Sequence, residues 1–402
     1  MFFALFLFEM MTIFLRPIFF ILSFIIATNV FAQTQAEQQL QHFLLQRVEN
    51  MQVKEDDFFL KGIYPSFINN KQKYTTKKKD LTIFYNALID ETLQQIYPQL
   101  APRNKAIVDK MYQASLPLYP RFKNQKGRNS YNFWVRDSLY TFPYSWWIPL
   151  IKKDPHVPDD MDDTSISHLA LNSSTDSAKA VHALFQQFIN QPQSPLKTVE
   201  KKYRDQPAYS TWFGEKFPVV FDISVLANTL FFVQTHHLEW TAVDSASLNV
   251  MIEALDSRDY FKNARLISPY YGKPAIIMYH LSRLMKVKPI KALEERRQYM
   301  IEDTKAMYIT SQLWFEKTIL SAALKKWGVE TGLKQEIIAA HLQDDKFIEK
   351  EIEQSDYPYF IGNIPSYFPY GIKKVFTKMD ALLYYHFCPA YNNVILLEYL
   401  AE

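Results

Sequence analysis

Apolar residues recur at the spacing of an α-helix in seven stretches of the chain. They return every three or four positions, which places them on one face of a helix. Asp or Ser often stands where the first turn needs a cap, and proline or glycine often follows within a few residues of the last apolar position. The pattern predicts an all-α chain with helices within residues 36–51, 80–100, 176–189, 222–237, 245–255, 273–285 and 311–327.

Signals for β-hairpins are scarce. The chain has 8 glycines in 402 residues, and it contains no Asn-Gly or Asp-Gly pair, the dipeptides that favour two-residue hairpin turns. The predicted helices are short and are joined by loops of a few residues, which is typical of successive helical hairpins packed side by side. We therefore expect an α/α toroid, or an incomplete α/α barrel, rather than one long bundle.

Three regions follow one another along the chain. Residues 1–32 resemble a signal peptide, because Arg16 precedes the apolar run 18–26 and the Val-Phe-Ala of residues 30–32 supplies a cleavage site. Cleavage would leave a periplasmic or secreted protein, and an uncleaved membrane anchor is the alternative. Residues 33–155 form an N-terminal helical region with aromatic loops. Residues 156–402 form the toroid region, either separate from the preceding region or continuous with it.

Composition narrows the classes of function. The formal net charge is +3, and so small a positive charge does not indicate a nucleic-acid-binding protein. Cys388 is the single cysteine, so an internal disulfide framework and a cysteine-based zinc site are excluded. Aromatic residues make up 16% of the chain, with 25 Tyr and 31 Phe. Tyr can bury its ring while its hydroxyl stays polar, so an aromatic-lined cavity is one explanation, and a core and rim rich in aromatic residues is the alternative that most of these residues favour.

Four aspartates are concentrated in the segment VPDDMDDTSISHLAL, residues 157–171. Asp163 or Thr164 could cap the following helix, with the other carboxylates placed favourably against the helix dipole. Asp159, Asp160 and Asp163 also have DDxxD spacing, which could hold Mg²⁺ or Ca²⁺. A third explanation is a carboxyl group that its neighbours keep protonated, so that Asp162 acts as a general acid.

The five residues Asp160 to Thr164, DMDDT, resemble the DxDDT motif of class II terpene cyclases, the relatives of squalene-hopene cyclase. The resemblance implies a prenyltransferase-like α/α toroid and an isoprenoid, lipid-like substrate. It makes Asp162 the proton donor to an alkene or epoxide, with Asp160 and Asp163 orienting Asp162 and raising its acidity. Aromatic rings would stabilise the carbocation. No cofactor is expected, with Mg²⁺ or Ca²⁺ at the aspartates as the alternative.

Two further segments carry candidate substrate-binding residues. FPVVFDISVLANTLFFV, residues 217–233, places Asp222 at a helix start and Asn228 six residues later. ISPYYGKPAIIMYHLSRL, residues 267–284, places Tyr270 and Tyr271 just before a helix. An asparagine in an apolar helix needs a hydrogen-bond partner, which is either a neighbouring helix end or a functional site. Convergence of these residues near Asp162 would favour the site.

A carbohydrate-active enzyme, either a glycoside hydrolase or a lyase, is the alternative function. Glycosidases use two carboxyl groups about 5 to 9.5 Å apart, and Asp162 with Asp222 could provide them. Trp212 could stack on a sugar ring, as could Trp134, Trp146 and Trp147. A noncatalytic envelope protein is a third hypothesis. The expected ligand is thus a small hydrophobic molecule or a glycan, and the chain's apolar start also allows association with a membrane surface.

Overall fold

The computed structural model describes residues 35–74, 78–135, 157–191, 196–214 and 217–402. The predicted signal peptide, residues 1–32, lies outside the described residues, and so do Trp146 and Trp147. Across the described ranges, no helix is both long enough and apolar enough to cross a lipid bilayer.

Helices dominate the described residues, which confirms the all-α prediction. The α-helices span residues 35–51, Phe84–Ile96, Pro102–Ser115, Tyr119–Phe122, Met161–Ala170, Thr175–Phe185, Ile223–Thr235, Ala242–Asp256, Asp259–Lys262, Ala264–Ile267, Pro274–Val287, Lys291–Glu294, Arg297–Thr310, Trp314–Lys326, Leu333–Gln343, Tyr370–Lys378 and Pro389–Ala401. Short 3₁₀ segments span Tyr97–Gln99, Leu116–Leu118, Lys201–Tyr203 and Ile364–Tyr367, and a π-helical turn spans Ile348–Glu353.

Local chemistry explains where several of these helices begin. Side-chain oxygens of Asp160, Ser174, Asp222 and Thr241 accept hydrogen bonds from backbone N–H groups of the first turn, groups that have no partner within the helix. Other helices carry proline within their first two residues, where its missing N–H costs nothing, as at Pro102, Pro274 and Pro389. The helix starts are therefore encoded locally.

Within the described residues, six helices form a closed ring in which each contacts the next along the chain and the last contacts the first. They are deeply buried helices, and in one of them every residue from Ile223 to Gln234 is buried. The ring consists of Phe84–Ile96, Met161–Ala170, Ile223–Thr235, Pro274–Val287, Trp314–Lys326 and Pro389–Ala401. This closure favours the predicted α/α toroid arrangement.

More exposed helices lie between the ring helices in the sequence, and several of them contact ring helices. The helix Leu333–Gln343 is an example, because Leu333 and Ile337 are its buried residues. The larger of two buried clusters of apolar side chains in the described residues extends from Leu40 to Leu400. Within the described residues, this cluster has members on both sides of residue 155.

A small antiparallel sheet is the element that the sequence did not predict. Its strands are β1 (Ser66–Asn69), β2 (Lys78–Asp80), β3 (Phe360–Asn363) and β4 (Leu383–Phe387), in the order β2-β1-β4-β3. Phe67 pairs with Phe387, and Phe360 pairs with His386. The strands are too short to show a period, and β1 pairs with β4 from the opposite end of the chain.

The sheet lies against the part of the ring that carries the aspartate cluster. The N–H of Ile361 in β3 donates to the carbonyl of Tyr270, at 2.8 Å. The ring of Phe360 stacks near Tyr270 and meets Tyr271 edge-on, with centroids 6.1 and 5.5 Å apart. The sheet therefore positions an aromatic side chain over the loop that precedes Pro274–Val287.

Candidate active site

The aspartate cluster forms the first turn of the ring helix Met161–Ala170. Asp160 caps this helix, because its Oδ1 accepts the N–H of Asp163 at 2.8 Å. The cap is therefore Asp160, and the expectation that Asp163 or Thr164 would cap the helix is wrong. The helix begins earlier than the sequence suggested because Asp160 is extended and pairs its backbone with Trp212.

Asp160 and Asp163 form a carboxyl pair. Burial is the main reason why the pKa of Asp160 is raised to about 6 and the pKa of Asp163 well above its usual range. The charge of Asp160 and the hydrogen bond between the two side chains also favour the protonated form of Asp163. Two adjacent carboxylates in a dry site repel each other, so one proton stays between them. Asp163 holds that proton.

Asp159 has a different environment. Its Oδ2 accepts hydrogen bonds from Ser130 Oγ at 2.7 Å and from Asn124 Nδ2 at 2.5 Å, and Arg128 lies 3.5 Å away. These contacts tie the segment 124–130 to the start of the acidic segment. Throughout the described residues, no group of three or more His, Cys, Asp or Glu side chains is arranged to hold a metal ion, and this includes the DDxxD set Asp159, Asp160 and Asp163.

Asp162 is buried and contacts one residue of the ring helix Ile223–Thr235 and one residue of the loop before Pro274–Val287. Asn228 Nδ2 donates to Asp162 Oδ1 at 2.8 Å, and the Tyr271 hydroxyl donates a short hydrogen bond to Oδ2. Burial raises the pKa of Asp162 to about 7, although these two hydrogen bonds oppose the shift. Asp162 is thus an acid whose proton is exchangeable near neutral pH.

A hydrogen-bonded chain behind Asn228 fixes its amide. Asn228 Oδ1 is 2.7 Å from His280 Nδ1, and His280 Nε2 is 3.2 Å from the Tyr359 hydroxyl. Burial lowers the pKa of His280 well below its usual range, so the imidazole is neutral. The network assigns the proton to Nδ1, which donates to Asn228, while Tyr359 donates to Nε2. The Asn228 amide must then direct its N–H₂ group at Asp162.

Asp222 organises the loop that delivers Tyr271. Its carboxylate caps Ile223–Thr235 by accepting the N–H groups of Ser224 and Val225. It also accepts the Ser268 hydroxyl at 2.6 Å and the Tyr270 N–H at 2.7 Å. Burial raises the pKa of Asp222 to about 6. Asp222 accepts four hydrogen bonds on its two oxygens and so positions Tyr270 and Tyr271. This positioning role does not suit the second catalytic carboxyl group of a glycosidase.

Aromatic rings cover Tyr271 on the side of the sheet. Phe84 and Phe360 lie 6.1 and 5.5 Å from Tyr271 between centroids, and Phe133 stacks on both of them, 5.6 Å from Phe84 and 5.2 Å from Phe360. Trp134, considered above for sugar stacking, is buried and donates its indole N–H to Asp80 at 3.0 Å. The Tyr271 ring that donates to Asp162 is therefore packed among aromatic side chains, while the carboxyl groups of Asp160 and Asp222 lie near enough to Asp162 to favour its protonated form.

Trp212 connects the aspartate cluster to a groove at the surface. Its backbone pairs with Asp160, and its indole N–H donates to the Tyr270 hydroxyl at 2.7 Å. The groove has a volume of about 740 Å³. Its lining combines aromatic rings with amide and hydroxyl groups, among them Phe188, Asn190, Thr198, Trp212, Phe217 and Tyr367.

The structure thus brings Asp162, Asn228 and Tyr271 into direct contact, with Asp222 and Tyr270 immediately behind them and Trp212 between them and the groove. His280 lies within the segment 267–284 that was quoted for Tyr270 and Tyr271, but the sequence pattern indicated no role for it. Tyr359 was missed altogether, because it lies in a short segment without helical periodicity and reaches the site only through the tertiary fold.

No protein-family model matches the chain, and no curated protein or solved structure shows a significant match to it. The interpretation of the site therefore rests on the DMDDT motif and on the geometry just described.

Proposed function

We propose that this protein is an acid catalyst of the class II terpene-cyclase type, in which Asp162 protonates a neutral, isoprenoid-like substrate. The observation that carries the proposal is a buried carboxyl group with a pKa of about 7 that is held by two hydrogen-bond donors. Such a group is still partly protonated at neutral pH, where an ordinary aspartate is ionised, and it can release that proton, which is the balance that a general acid needs.

In the proposed step, the Asp162 proton adds to one carbon of an alkene. The π electron pair forms the new C–H bond, and the neighbouring carbon becomes a carbocation. The carboxylate left behind is stabilised by Asn228 and Tyr271, because hydrogen bonds to a carboxylate favour its charged form. Aromatic faces attract a cation, and Phe84, Phe133 and Phe360 supply such faces near Tyr271. Later loss of a proton from carbon would end the reaction without a redox change.

The test is proton transfer itself. Purified protein is incubated in D₂O with neutral isoprenoid polyenes and their epoxides, and deuterium on carbon is measured by mass spectrometry. We expect incorporation with the unmodified protein and a loss of at least about a hundredfold with Asp162→Asn, the usual scale for a general acid. Asp256→Asn, at a carboxylate that pairs with Arg296 at the surface, serves as the control. A folded protein that transfers no deuterium to any of these compounds would contradict the proposal.

The groove supports a second candidate, a carbohydrate-active enzyme. Aromatic rings beside amide and hydroxyl groups are the side chains that bind sugars in an open cleft, and Asp160 lies next to the groove through its backbone pairing with Trp212. A panel of soluble glycans, tested by affinity electrophoresis, separates the two candidates. If a glycan slows the migration of the protein and Trp212→Ala abolishes this effect, the carbohydrate-active enzyme is favoured. Binding without turnover would favour the noncatalytic envelope protein.

A further inference from the structure

The helix Tyr370–Lys378, together with Met379, directs apolar side chains into solvent. Ile372, Val375 and Met379 are 50%, 56% and 68% exposed. Their spacing of three and four residues places them in one stripe. Lys373 is fully buried in the same helix. The helix therefore has an apolar face in water and a lysine in the interior, the reverse of an ordinary surface helix.

Contacts of the buried side hold the helix in this orientation. Lys373 Nζ donates to the carbonyl of Thr198 at 3.3 Å, and the N–H of Tyr370 donates to the carbonyl of Lys197 at 2.7 Å. Burial lowers the pKa of Lys373 to about 8. Rotation of the helix to hide the apolar stripe would break both contacts, so the exposure is built into the fold.

The charges beside the stripe are mainly positive. Lys374 and Lys378 are exposed on the helix, and Lys197 is exposed next to its first residue. The nearest exposed acidic residue after the helix, Asp380, pairs with Arg265. An apolar stripe flanked by lysines is the pattern of a helix that lies in the interface of a bilayer with negatively charged lipids.

We propose that the exposed face of Tyr370–Lys378 docks on an anionic lipid surface. Ile372, Val375 and Met379 enter the boundary between headgroups and acyl chains, while the lysines contact lipid phosphates. Tyr367 and Pro369, just before this helix, line the groove beside Trp212. Docking thus brings the rim of the groove to the membrane surface. The proposal does not depend on catalysis by Asp162.

Vesicle flotation tests the docking with the full chain. Phosphatidylcholine vesicles are compared with vesicles that also contain phosphatidylglycerol. We expect preferential binding to the anionic vesicles and a loss of roughly tenfold or more for the triple variant Ile372→Ser, Val375→Ser and Met379→Ser. The pair Lys374→Glu and Lys378→Glu should lower binding by about tenfold or more and reduce its dependence on anionic lipid. Ile309→Ser with Leu342→Ser, at residues 75% and 73% exposed on other helices, is the matched control.

A local reporter removes any contribution from the apolar residues at the start of the chain. Cys388 is buried, and burial raises the pKa of its thiol to about 12, so an introduced surface cysteine is labelled selectively. An environment-sensitive fluorophore at Val375→Cys should shift to the blue when anionic vesicles are added. The same label at Ile309→Cys should not shift.

Two results would overturn the proposal. The first is a label at position 375 that stays in water while the protein floats with the vesicles. The second is a triple variant that binds vesicles normally but changes from dimer to monomer in sedimentation velocity, which would assign this face to a second copy of the chain. Circular dichroism melting of every variant confirms that lost binding does not come from unfolding.

Discussion

At the scale of single residues, the chemistry of the site depends on how Asp162 is held. Burial raises its pKa, whereas the hydrogen bonds from Tyr271 and Asn228 lower it. The value near 7 is the balance of these effects. Each donor can therefore be removed separately to show which way the balance moves.

Tyr271→Phe should raise the pKa of Asp162 above about 7. The substitution removes a donor to the ionised carboxylate and leaves the aromatic ring in place, so the protonated form gains relative stability. A hydrogen bond to a charged group contributes about 1.5–3 kcal/mol, which corresponds to roughly one to two pH units. Infrared difference spectroscopy of the carboxyl band, with Asp162→Asn to assign it, measures the change.

Tyr270→Phe is the matched control for this prediction. Its hydroxyl contacts Trp212 and Ser366 rather than Asp162, so the Asp162 band should titrate as in the unmodified protein. If both variants shift the band equally, the Tyr271 hydrogen bond does not set the pKa. A band that titrates near the reference of about 3.9 in the unmodified protein would instead contradict the buried-acid assignment.

At the scale of elements, a buried ion pair connects two ring helices across the interior. Arg283 of Pro274–Val287 pairs with Glu91 of Phe84–Ile96, and both side chains are almost inaccessible to water. Arg283 also lies over the ring of Phe231, 4.6 Å from its centroid. The pair contributes to the position of these helices relative to each other, and neither charge can be removed alone without cost.

Arg283→Met should lower the free energy of unfolding by about 3–5 kcal/mol, because it leaves the Glu91 carboxylate buried without its partner. The double variant Arg283→Met with Glu91→Leu should recover most of that loss, since no uncompensated charge remains. Urea unfolding at neutral pH measures both. Arg296→Ala, which breaks a surface pair with Asp256, should cost about 1 kcal/mol or less. A double variant as unstable as the single one would show that packing rather than charge is lost.

Local signals account for what the sequence predicted about the elements. Helical periodicity located the helices, and the motif put Asp162 at a helix start. The sequence did not predict the sheet, because β1 pairs with β4 roughly three hundred residues away and neither strand is long enough to show a pattern. Asn228 was identified as a residue in need of a partner, but His280 and Tyr359, which supply its orientation, meet it only through the closed ring.

At the scale of the whole molecule, buried carboxyl groups with raised pKa values are a common feature of the described residues. Burial is the first cause for each of the five aspartates among them, namely Asp90, Asp160, Asp162, Asp163 and Asp222. Buried His168 and His280 have lowered pKa values for the same reason. These carboxyl groups stabilise the fold while they are protonated, and the histidines while they are neutral, so the two sets respond to pH in opposite directions.

Asp90 allows the effect of one buried carboxyl group on stability to be measured at a site separate from the aspartate cluster. It accepts hydrogen bonds from Tyr119 at 2.8 Å and from Ser115 at 3.2 Å, and burial raises its pKa from 3.8 to about 8. In the unfolded chain Asp90 ionises above about pH 4, whereas in the folded protein it stays protonated until about pH 8. Its stabilising effect is therefore complete below pH 4 and is lost as the pH rises to 8.

Asp90→Asn should remove this pH dependence, because an amide does not ionise but can still accept from Tyr119. Between pH 4 and pH 8, we expect the unmodified protein to lose about 3–5 kcal/mol of unfolding free energy relative to the variant. Urea unfolding across this range gives the difference, which cancels the opposing contribution of the histidines. Asp205→Asn, at an exposed carboxylate, should follow the unmodified protein throughout. Parallel curves for Asp90→Asn and the unmodified protein would mean that Asp90 is ionised in the fold, and that burial in this ring does not suffice to hold a proton at neutral pH.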